Sequence, residues 1–211
     1  MARILVLAGV NGAGKSSLLG MMLHEDGATW FNPDAFTRQL VERGWPLEEA
    51  NATAWLEGTR RLRDAMAENH DYAFETTLGA NTIPALLRDA CQQHEVSIWF
   101  CGLENVELHL QRVAERVIAG GHDIPEAKIR QRFDSSRLNL IELLPYLTTL
   151  HVYDNSRPAD ADGQVEPLLV LELERGRILC PAAQEEFAQV PEWAKPIVWA
   201  ALKAFPVVQE E

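Results

Sequence analysis

Short apolar segments alternate along this chain with longer amphipathic ones. The short segments are rich in leucine and β-branched residues and predict strands at residues 3–8, 28–32, 72–75, 96–103 and 150–153. In the longer segments apolar residues recur every three or four positions, which is the spacing of one helix face. They predict helices at residues 15–24, 35–43, 46–69, 83–94, 105–119 and 126–147, the last being either one helix or two helices broken near Pro145. This alternation predicts an α/β fold, a three-layer sandwich with a five-stranded, mainly parallel sheet and helices on both faces.

The pattern changes after residue 157. A polar stretch at 157–164 is followed by two strand-like segments, 168–174 and 177–180, on either side of a Gly-containing turn. They predict a β-hairpin attached to the main sheet. The segment beyond them is amphipathic and contains tryptophan, which predicts a docking helix. We therefore expect a core at 1–157, and a C-terminal hairpin and docking helix at 158–211 within the same domain.

The composition narrows the possible partners. The 211 residues are 47% hydrophobic and 24% charged, which is typical of one globular domain with a sizeable core. The 31 acidic residues exceed the 19 basic ones, so the formal net charge is −12. Because nucleic acids and anionic membranes attract Lys and Arg, we expect the chain to bind neither. Any phosphate chemistry has to use a local basic site.

The cysteines and the N-terminus predict a cytoplasmic protein. Cys91, Cys101 and Cys180 form no C-x-x-C pair and have no metal-ligand spacing, which favours buried, reduced thiols. The apolar start of the chain runs directly into a glycine-rich segment and lacks the cleavage site of a signal peptide. No apolar run reaches the roughly 18 residues of a membrane span.

The strongest motif runs from Gly9 to Ser16 and reads Gly-Val-Asn-Gly-Ala-Gly-Lys-Ser. It satisfies G-x-x-x-x-G-K-[ST] between a predicted strand and a predicted helix, which is the context of a P-loop. In such a loop backbone N–H groups surround the phosphate oxygens, Lys15 reaches the β- and γ-phosphates, and Ser16 coordinates Mg²⁺. The motif predicts that ATP or GTP binds with Mg²⁺ to Gly9, Asn11, Gly12, Ala13, Gly14, Lys15, Ser16 and Ser17.

Two acidic residues stand where predicted strands end. Asp34 follows the strand at 28–32, and Glu75 ends the strand at 72–75. Open parallel sheets place their chemistry at this edge. A phosphoryl transferase needs a carboxylate that accepts the proton of the attacking hydroxyl. We predict this role for Asp34, because we expect the strand that it follows to lie next to the first strand. We predict that Glu75 holds the acceptor or the metal. A helix N-cap at Asp34 and a salt bridge at Glu75 are the structural alternatives.

The strand at 96–103 lacks the terminal acid that mechanical ATPases use for metal and water. The strand ends at Gly102 and Leu103, and the nearest acid is Glu104, which comes after them. This favours a small kinase, in which acids at other strand ends take over.

A local basic cluster surrounds the Gly120-Gly121 turn. Its members are Arg112, Arg116, Lys128, Arg130, Arg132 and Arg137. Two arginine-rich helices joined by a glycine turn predict a lid at about 112–137, since the planar guanidinium binds phosphate through two parallel hydrogen bonds. We predict catalytic contacts to the γ-phosphate from Arg116 and from Arg130 or Arg132. The alternative is a solvated helix face with i,i+4 ion pairs.

Several of these segments together resemble the zeta-toxin group of P-loop kinases, and in particular its small, stand-alone bacterial branch. The resemblance covers roughly residues 1–157. Its segments are residues 9–17, Asn-Pro-Asp-Ala-Phe at 32–36, Phe-Glu-Thr-Thr-Leu at 74–78, Gly-Gly-His-Asp-Ile-Pro at 120–125 with Arg116, Arg130 and Arg132 around it, and Tyr-Asp-Asn-Ser at 153–156.

The resemblance implies an ATP- or GTP-dependent kinase that uses Mg²⁺ and phosphorylates a hydroxyl of a small metabolite. In the better-known members of this group the acceptor is a nucleotide sugar, a UDP-linked amino sugar, so the resemblance implies such an acceptor as one candidate and an antitoxin protein as a candidate partner. Asp34 matches the catalytic base, Glu75 with Thr76 matches the acceptor-binding motif, and the lid arginines match the γ-phosphate clamp. Residues 154–156 match the place where related kinases hold the nucleotide base.

Two other functions remain open at this point. A nucleotide or antibiotic kinase would use the same parts with a different acceptor pocket. A nucleotide-dependent regulatory switch would bind ATP and signal to a partner without phosphorylating a small molecule. A switch does not need two acids at neighbouring strand ends, so Asp34 and Glu75 favour a kinase.

Overall fold

A computed structural model describes residues 1–17, 30–158 and 166–207. It contains six strands in one sheet: β1 (Arg3–Ala8), β2 (Tyr72–Thr76), β3 (Glu95–Gly102), β4 (Thr149–Asp154), β5 (Leu168–Glu174) and β6 (Arg177–Cys180). Its helices are α1 (Pro33–Glu42), α2 (Leu47–Glu68), α3 (Thr82–Ala90), α4 (Val106–Ile118), α5 (Glu126–Leu143), α6 (Gln184–Gln189) and α7 (Lys195–Ala204). A 3₁₀ turn, Leu144–Tyr146, ends α5. None of the helices in these ranges is long and apolar enough to cross a bilayer.

The sheet has the order β2-β1-β3-β4-β5-β6, with helices on both faces. β2, β1, β3 and β4 are parallel neighbours, and all four strands contribute buried residues to the hydrophobic core. The predicted hairpin is confirmed: β5 pairs antiparallel with β4, and β6 pairs antiparallel with β5. The predicted α/β class is therefore confirmed, with a six-stranded sheet in place of five strands plus an attached hairpin.

The strand predicted at 28–32 lies differently from the expectation. Within its described part, Trp30–Asn32, only Phe31 forms a bridge, and its partner is Phe74 of β2. Residues 28 and 29 lie outside the described residues. The expectation that this segment neighbours β1 is wrong, because β2 occupies that place with Leu7 opposite Glu75. The acid that ends the strand next to the loop is therefore Glu75.

The C-terminal part packs against the core through Trp193 and through buried apolar residues of α7. Trp193, just before α7, is 4% exposed, and its indole donates to Asp154 at 2.9 Å. A Cβ at Gly102 would lie 2.3 Å from the Trp193 ring, so only glycine at the end of β3 leaves room for it. Trp199, the other tryptophan of the predicted docking helix, is 62% exposed.

Candidate active site

The glycine-rich segment forms a tight turn between β1 and a helical turn at residues 15–17. Gly12 and Gly14 have φ values of +83° and +89°, a region that disfavours residues with a Cβ. A Cβ at Gly9 would lie 2.1 Å from the carbonyl oxygen of Cys101 on β3. These glycines allow the turn to fold closely over the sheet. The rest of the helix predicted at 15–24 lies outside the described residues.

Side chains of the surrounding structure hydrogen-bond to two carbonyl groups of this loop. The buried ring of His109 on α4 hydrogen-bonds to Asn11 O at 2.9 Å. Asn155 donates to Ala13 O at 2.8 Å, and the Cys101 thiol donates to the same oxygen at 3.0 Å. In a trans peptide the carbonyl and the following N–H point in opposite directions. The amides that follow Asn11 and Ala13 are therefore turned away from these supports, as a phosphate cradle requires.

The sequence does not single out these residues as supports of the loop. The residues at 154–156 were matched to base binding, whereas in the structure Asn155 holds the loop and Asp154 accepts from Trp193. A histidine on an apolar helix face carries no motif, so the sequence does not predict a role for His109. Burial lowers its pKa to about 4, so the ring is neutral near pH 7. Its Nδ1 therefore has to carry the proton that it donates to the loop carbonyl.

Lys15 lies partly buried between the loop and two carboxylates. Its ammonium donates to Gly9 O at 2.9 Å. Burial lowers the pKa of Lys15, while the charges of Glu75 and Asp34 act in the opposite direction. A cation placed at the loop in this way suits an anionic ligand. Ser16 and Ser17 are exposed at the start of the helix.

Glu75 is the centre of a hydrogen-bond network. This carboxylate is 7% exposed and accepts from Ser16 Oγ at 2.9 Å, Trp30 Nε1 at 2.8 Å and Asn32 Nδ2 at 2.9 Å. Glu75 thus contacts the Ser16 hydroxyl, which is predicted to bind Mg²⁺. Of the two roles predicted for Glu75, holding the acceptor or holding the metal, this contact favours the metal. The parallel pairing of β2 with β1 produces this contact, because it places Glu75 beside the end of the loop strand.

Asp34 stands in the first turn of α1, but it is not the cap. Asn32 caps the helix, since its side chain accepts from Ala35 N at 2.9 Å. The alternative interpretation of Asp34 as an N-cap is therefore wrong. The Asp34 carboxylate is 43% exposed and lies 3.5 Å from a terminal guanidinium nitrogen of Arg116. It remains accessible for other chemistry.

The three predicted lid arginines are in different surroundings. Arg132 donates to Asn11 Oδ1 at 2.7 Å, and burial lowers the pKa of its guanidinium. Arg116 contacts Asp34, and its Nε is buried without a hydrogen-bond partner among the described residues. Arg130 is exposed and pairs with Glu126 at 2.7 Å and with a second surface acid at 3.0 Å. The structure brings Arg132 to the loop and Arg116 to Asp34, whereas Arg130 has the contacts of a solvated helix face.

A cavity of about 180 Å³ opens beside the loop. Side chains from the loop, α1, β2 and α5 meet there, and so do residues of α2 that the sequence reasoning did not single out. The polar and charged lining residues are Asn11, Lys15, Asn32, Asp34, Thr37, Asn51, Thr59, Glu75, Thr76, Thr77 and Arg132. Trp55 of α2 forms part of the wall and is 47% exposed. The cavity therefore joins the predicted donor and acceptor residues.

No protein-family model matches the chain, and no curated protein matches it. Solved structures do. A chain in the crystal structure of AvrRxo1-ORF1:-ORF2 with ATP superposes with a TM-score of 0.65 at 16% identity, covering 92% of this chain and 64% of that chain. The AvrRxo1-ORF1:AvrRxo1-ORF2 structure with sulphate ions gives a TM-score of 0.64 at 17% identity with the same coverage. This chain thus spans less than two thirds of the length of those neighbours.

A third similar structure comes from the PezAT chromosomal toxin–antitoxin system of Streptococcus pneumoniae. It has a TM-score of 0.57 at 14% identity and covers 97% of this chain and 86% of that chain. At these identities the likeness concerns the fold. The chain has the three-layer α/β fold of P-loop kinases.

Proposed function

We propose that this chain is a P-loop kinase that transfers the γ-phosphate of ATP or GTP to a hydroxyl of a small molecule. The observation that carries the proposal is the cavity in which Lys15, Asp34 and Arg132 face the same space. A nucleotide-dependent switch needs the loop and a metal site, but it does not need a second pocket beside an accessible carboxylate.

The loop fits a bound nucleoside triphosphate with Mg²⁺. Its glycines leave space that a Cβ would fill, and the carbonyls of Asn11 and Ala13 are bonded on the protein side, so the amides of Gly12 and Gly14 are left for phosphate. When bound, ATP·Mg²⁺ supplies the phosphoryl group. Lys15 would hold the β- and γ-phosphates, Ser16 would bind the metal, and Glu75 would orient the Ser16 hydroxyl or a metal-bound water.

The remaining site residues have separate tasks in the transfer. The acceptor oxygen forms a bond to the γ-phosphorus while the bond to the bridging oxygen breaks, and the nucleoside diphosphate leaves with that electron pair. Asp34 takes the proton of the acceptor hydroxyl. Arg116 and Arg132 neutralise charge on the transferring group, and Thr76 hydrogen-bonds the acceptor from the end of β2.

The resemblance of several sequence segments to the zeta-toxin group makes an antitoxin protein a proposed partner. It also makes a UDP-amino sugar one candidate acceptor. A nucleoside or an antibiotic is the alternative acceptor. The structure from the PezAT toxin–antitoxin system supports a test for a protein partner. Co-expression with neighbouring open reading frames, followed by copurification, would test it.

Product analysis tests the proposed activity. Purified protein is incubated with ATP·Mg²⁺ and small-molecule acceptors, and ADP formation is followed together with mass spectrometry of the acceptor. We expect ADP formation that depends on an acceptor and an equal amount of phosphorylated product. Turnover of ATP that no acceptor stimulates, together with nucleotide-dependent binding of a partner, would contradict the proposal and favour a switch.

A further inference from the structure

The wall of the cavity away from the loop combines apolar side chains with the neutral polar groups of Thr37, Asn51, Thr76 and Thr77. It is supplied by α1, α2 and the end of β2. Thr37 of α1 donates to Asn51 of α2 at 3.3 Å, so the two helices are tied together inside the wall. The Asn51 amide N–H groups have no partner among the described residues and are available to a ligand.

The threonines at the end of β2 are prepared to donate hydrogen bonds. The hydroxyl oxygens of Thr76 and Thr77 accept from backbone amides of the following turn, at 3.1 and 3.4 Å. Neither hydroxyl donates to another described group, so each keeps a hydrogen for a ligand. The mixture of amide and hydroxyl groups suits a ligand with several alcohol groups, because each alcohol both donates and accepts.

The same wall offers no positive charge to an acceptor. The two cations of the cavity, Lys15 and Arg132, are bonded to Gly9 O and Asn11 Oδ1 of the loop. All 19 Lys and Arg residues lie within the described ranges, so no masked segment supplies another. Asp34 and Glu75 add negative charge. A phosphate on the acceptor would therefore find no cation in the part of the wall formed by α2 and the β2 threonines.

The size and the aromatic side of the cavity limit the acceptor further. The volume of about 180 Å³ lies below the roughly 300–1,000 Å³ of sites for drug-sized ligands. Trp55 presents an exposed flat surface, against which the C–H face of a saturated ring can pack. We infer that the acceptor is an uncharged, compact polyhydroxy compound of the monosaccharide or cyclitol type, bound between Trp55, Asn51 and the β2 threonines. This inference rests on the proposed kinase activity.

Charge fractionation of possible acceptors tests it. A protein-free bacterial metabolite extract is separated into fractions that bind an anion exchanger, bind a cation exchanger, or bind neither. Each fraction is incubated with the protein and ATP labelled at the γ-phosphate. We expect label transfer in the unretained fraction. Transfer confined to the anionic fraction, as for a UDP-sugar, or to the cationic fraction, as for an aminoglycoside, would overturn the inference and leave the kinase activity standing. Transfer to no fraction would contradict the kinase activity itself.

Matched compounds and variants sharpen the result. N-acetylglucosamine is compared with UDP-N-acetylglucosamine, and glucose with glucose 6-phosphate. We expect kcat/KM to be at least tenfold higher for the neutral member of any pair that reacts.

Trp55→Ala should raise the acceptor KM at least tenfold and leave the KM for ATP within twofold. Trp199→Ala, at an exposed tryptophan of α7 outside the cavity, is the control and should change neither. An unchanged acceptor KM in Trp55→Ala, or preference for the anionic member, would overturn the inference.

Discussion

The loop side and the acceptor side of the candidate site are built in different ways. The loop is one continuous segment whose glycines and carbonyls are held by the sheet and by α4. The acceptor side is assembled from α1, α2 and β2, which lie far apart in the chain. A phosphate is bound by backbone groups of fixed geometry, so one short motif suffices for it. An acceptor is recognised by side chains that only tertiary packing brings together.

Loss of the loop cation should have the largest effect. Lys15→Ala removes the ammonium group that is proposed to bind the β- and γ-phosphates, so we expect phosphate transfer to fall below detection. The thermal shift produced by ATP·Mg²⁺ should shrink as well. Lys128→Ala, at an exposed lysine of α5, is the control. An undiminished thermal shift in Lys15→Ala would remove the loop from nucleotide binding.

Arg132 and Arg130, both on α5, distinguish the loop side of the site from a solvated helix face. Arg132 contacts the loop through Asn11, whereas Arg130 pairs with surface acids. We expect Arg132→Ala to lower kcat by about 10²–10³-fold, which is typical of removing one donor that stabilises transition-state charge. Arg130→Ala should stay within about twofold, because exposed ion pairs contribute little. Steady-state kinetics decide between them; equal, mild effects would assign both arginines to the solvated face.

Glu75 should connect the metal with the loop. Glu75→Gln keeps the size of the side chain and removes the charge that orients the Ser16 hydroxyl. We expect the Mg²⁺ concentration for half-maximal activity to rise about tenfold, within the range reported for groups that orient metal ligands. A titration of activity with Mg²⁺ measures this. An unchanged Mg²⁺ requirement with a raised acceptor KM would instead assign Glu75 to acceptor binding.

His109 should make the support of the loop sensitive to acid. Its pKa is about 4 in the folded chain and 6.5 ordinarily, so below pH 6.5 the unfolded chain takes up a proton that the folded chain does not. Stability is therefore lost as the pH falls through this window. Between pH 7.5 and pH 5 the loss from this group is about 2 kcal/mol.

Urea unfolding at the two pH values measures the effect. His109→Gln keeps an N–H donor and does not titrate, so its stability should fall by less over this range. His70→Gln, on the surface, is the matched control. An equal pH dependence in the wild type and in His109→Gln would contradict the assignment.

The fold and the loop could be predicted from sequence because their signals are local. The strands 3–8 and 96–103 stood out as continuous apolar runs, and the loop as a fixed pattern of glycine, lysine and serine. The strand order could not be predicted. The pairing of Phe31 with Phe74 depends on how helices pack over the sheet, and no local pattern encodes it.

The acceptor wall was missed for the same reason. Asn51, Trp55 and Thr59 recur along one face of α2 with the spacing of any partly buried helix. Nothing in that spacing distinguishes a core contact from a cavity wall. Asp34 was found because it follows a predicted strand, although the residue that caps its helix is Asn32.

Asp34→Asn tests the central claim, that this cavity carries out phosphate transfer to a hydroxyl. The helix cap belongs to Asn32, so the substitution removes only the basic carboxylate and one partly exposed ion pair with Arg116. The variant should melt near the wild type and still bind ATP·Mg²⁺. Its transfer rate should fall at least about a hundredfold, the lower end of what a positioned base contributes. Wild-type turnover in Asp34→Asn would contradict the account.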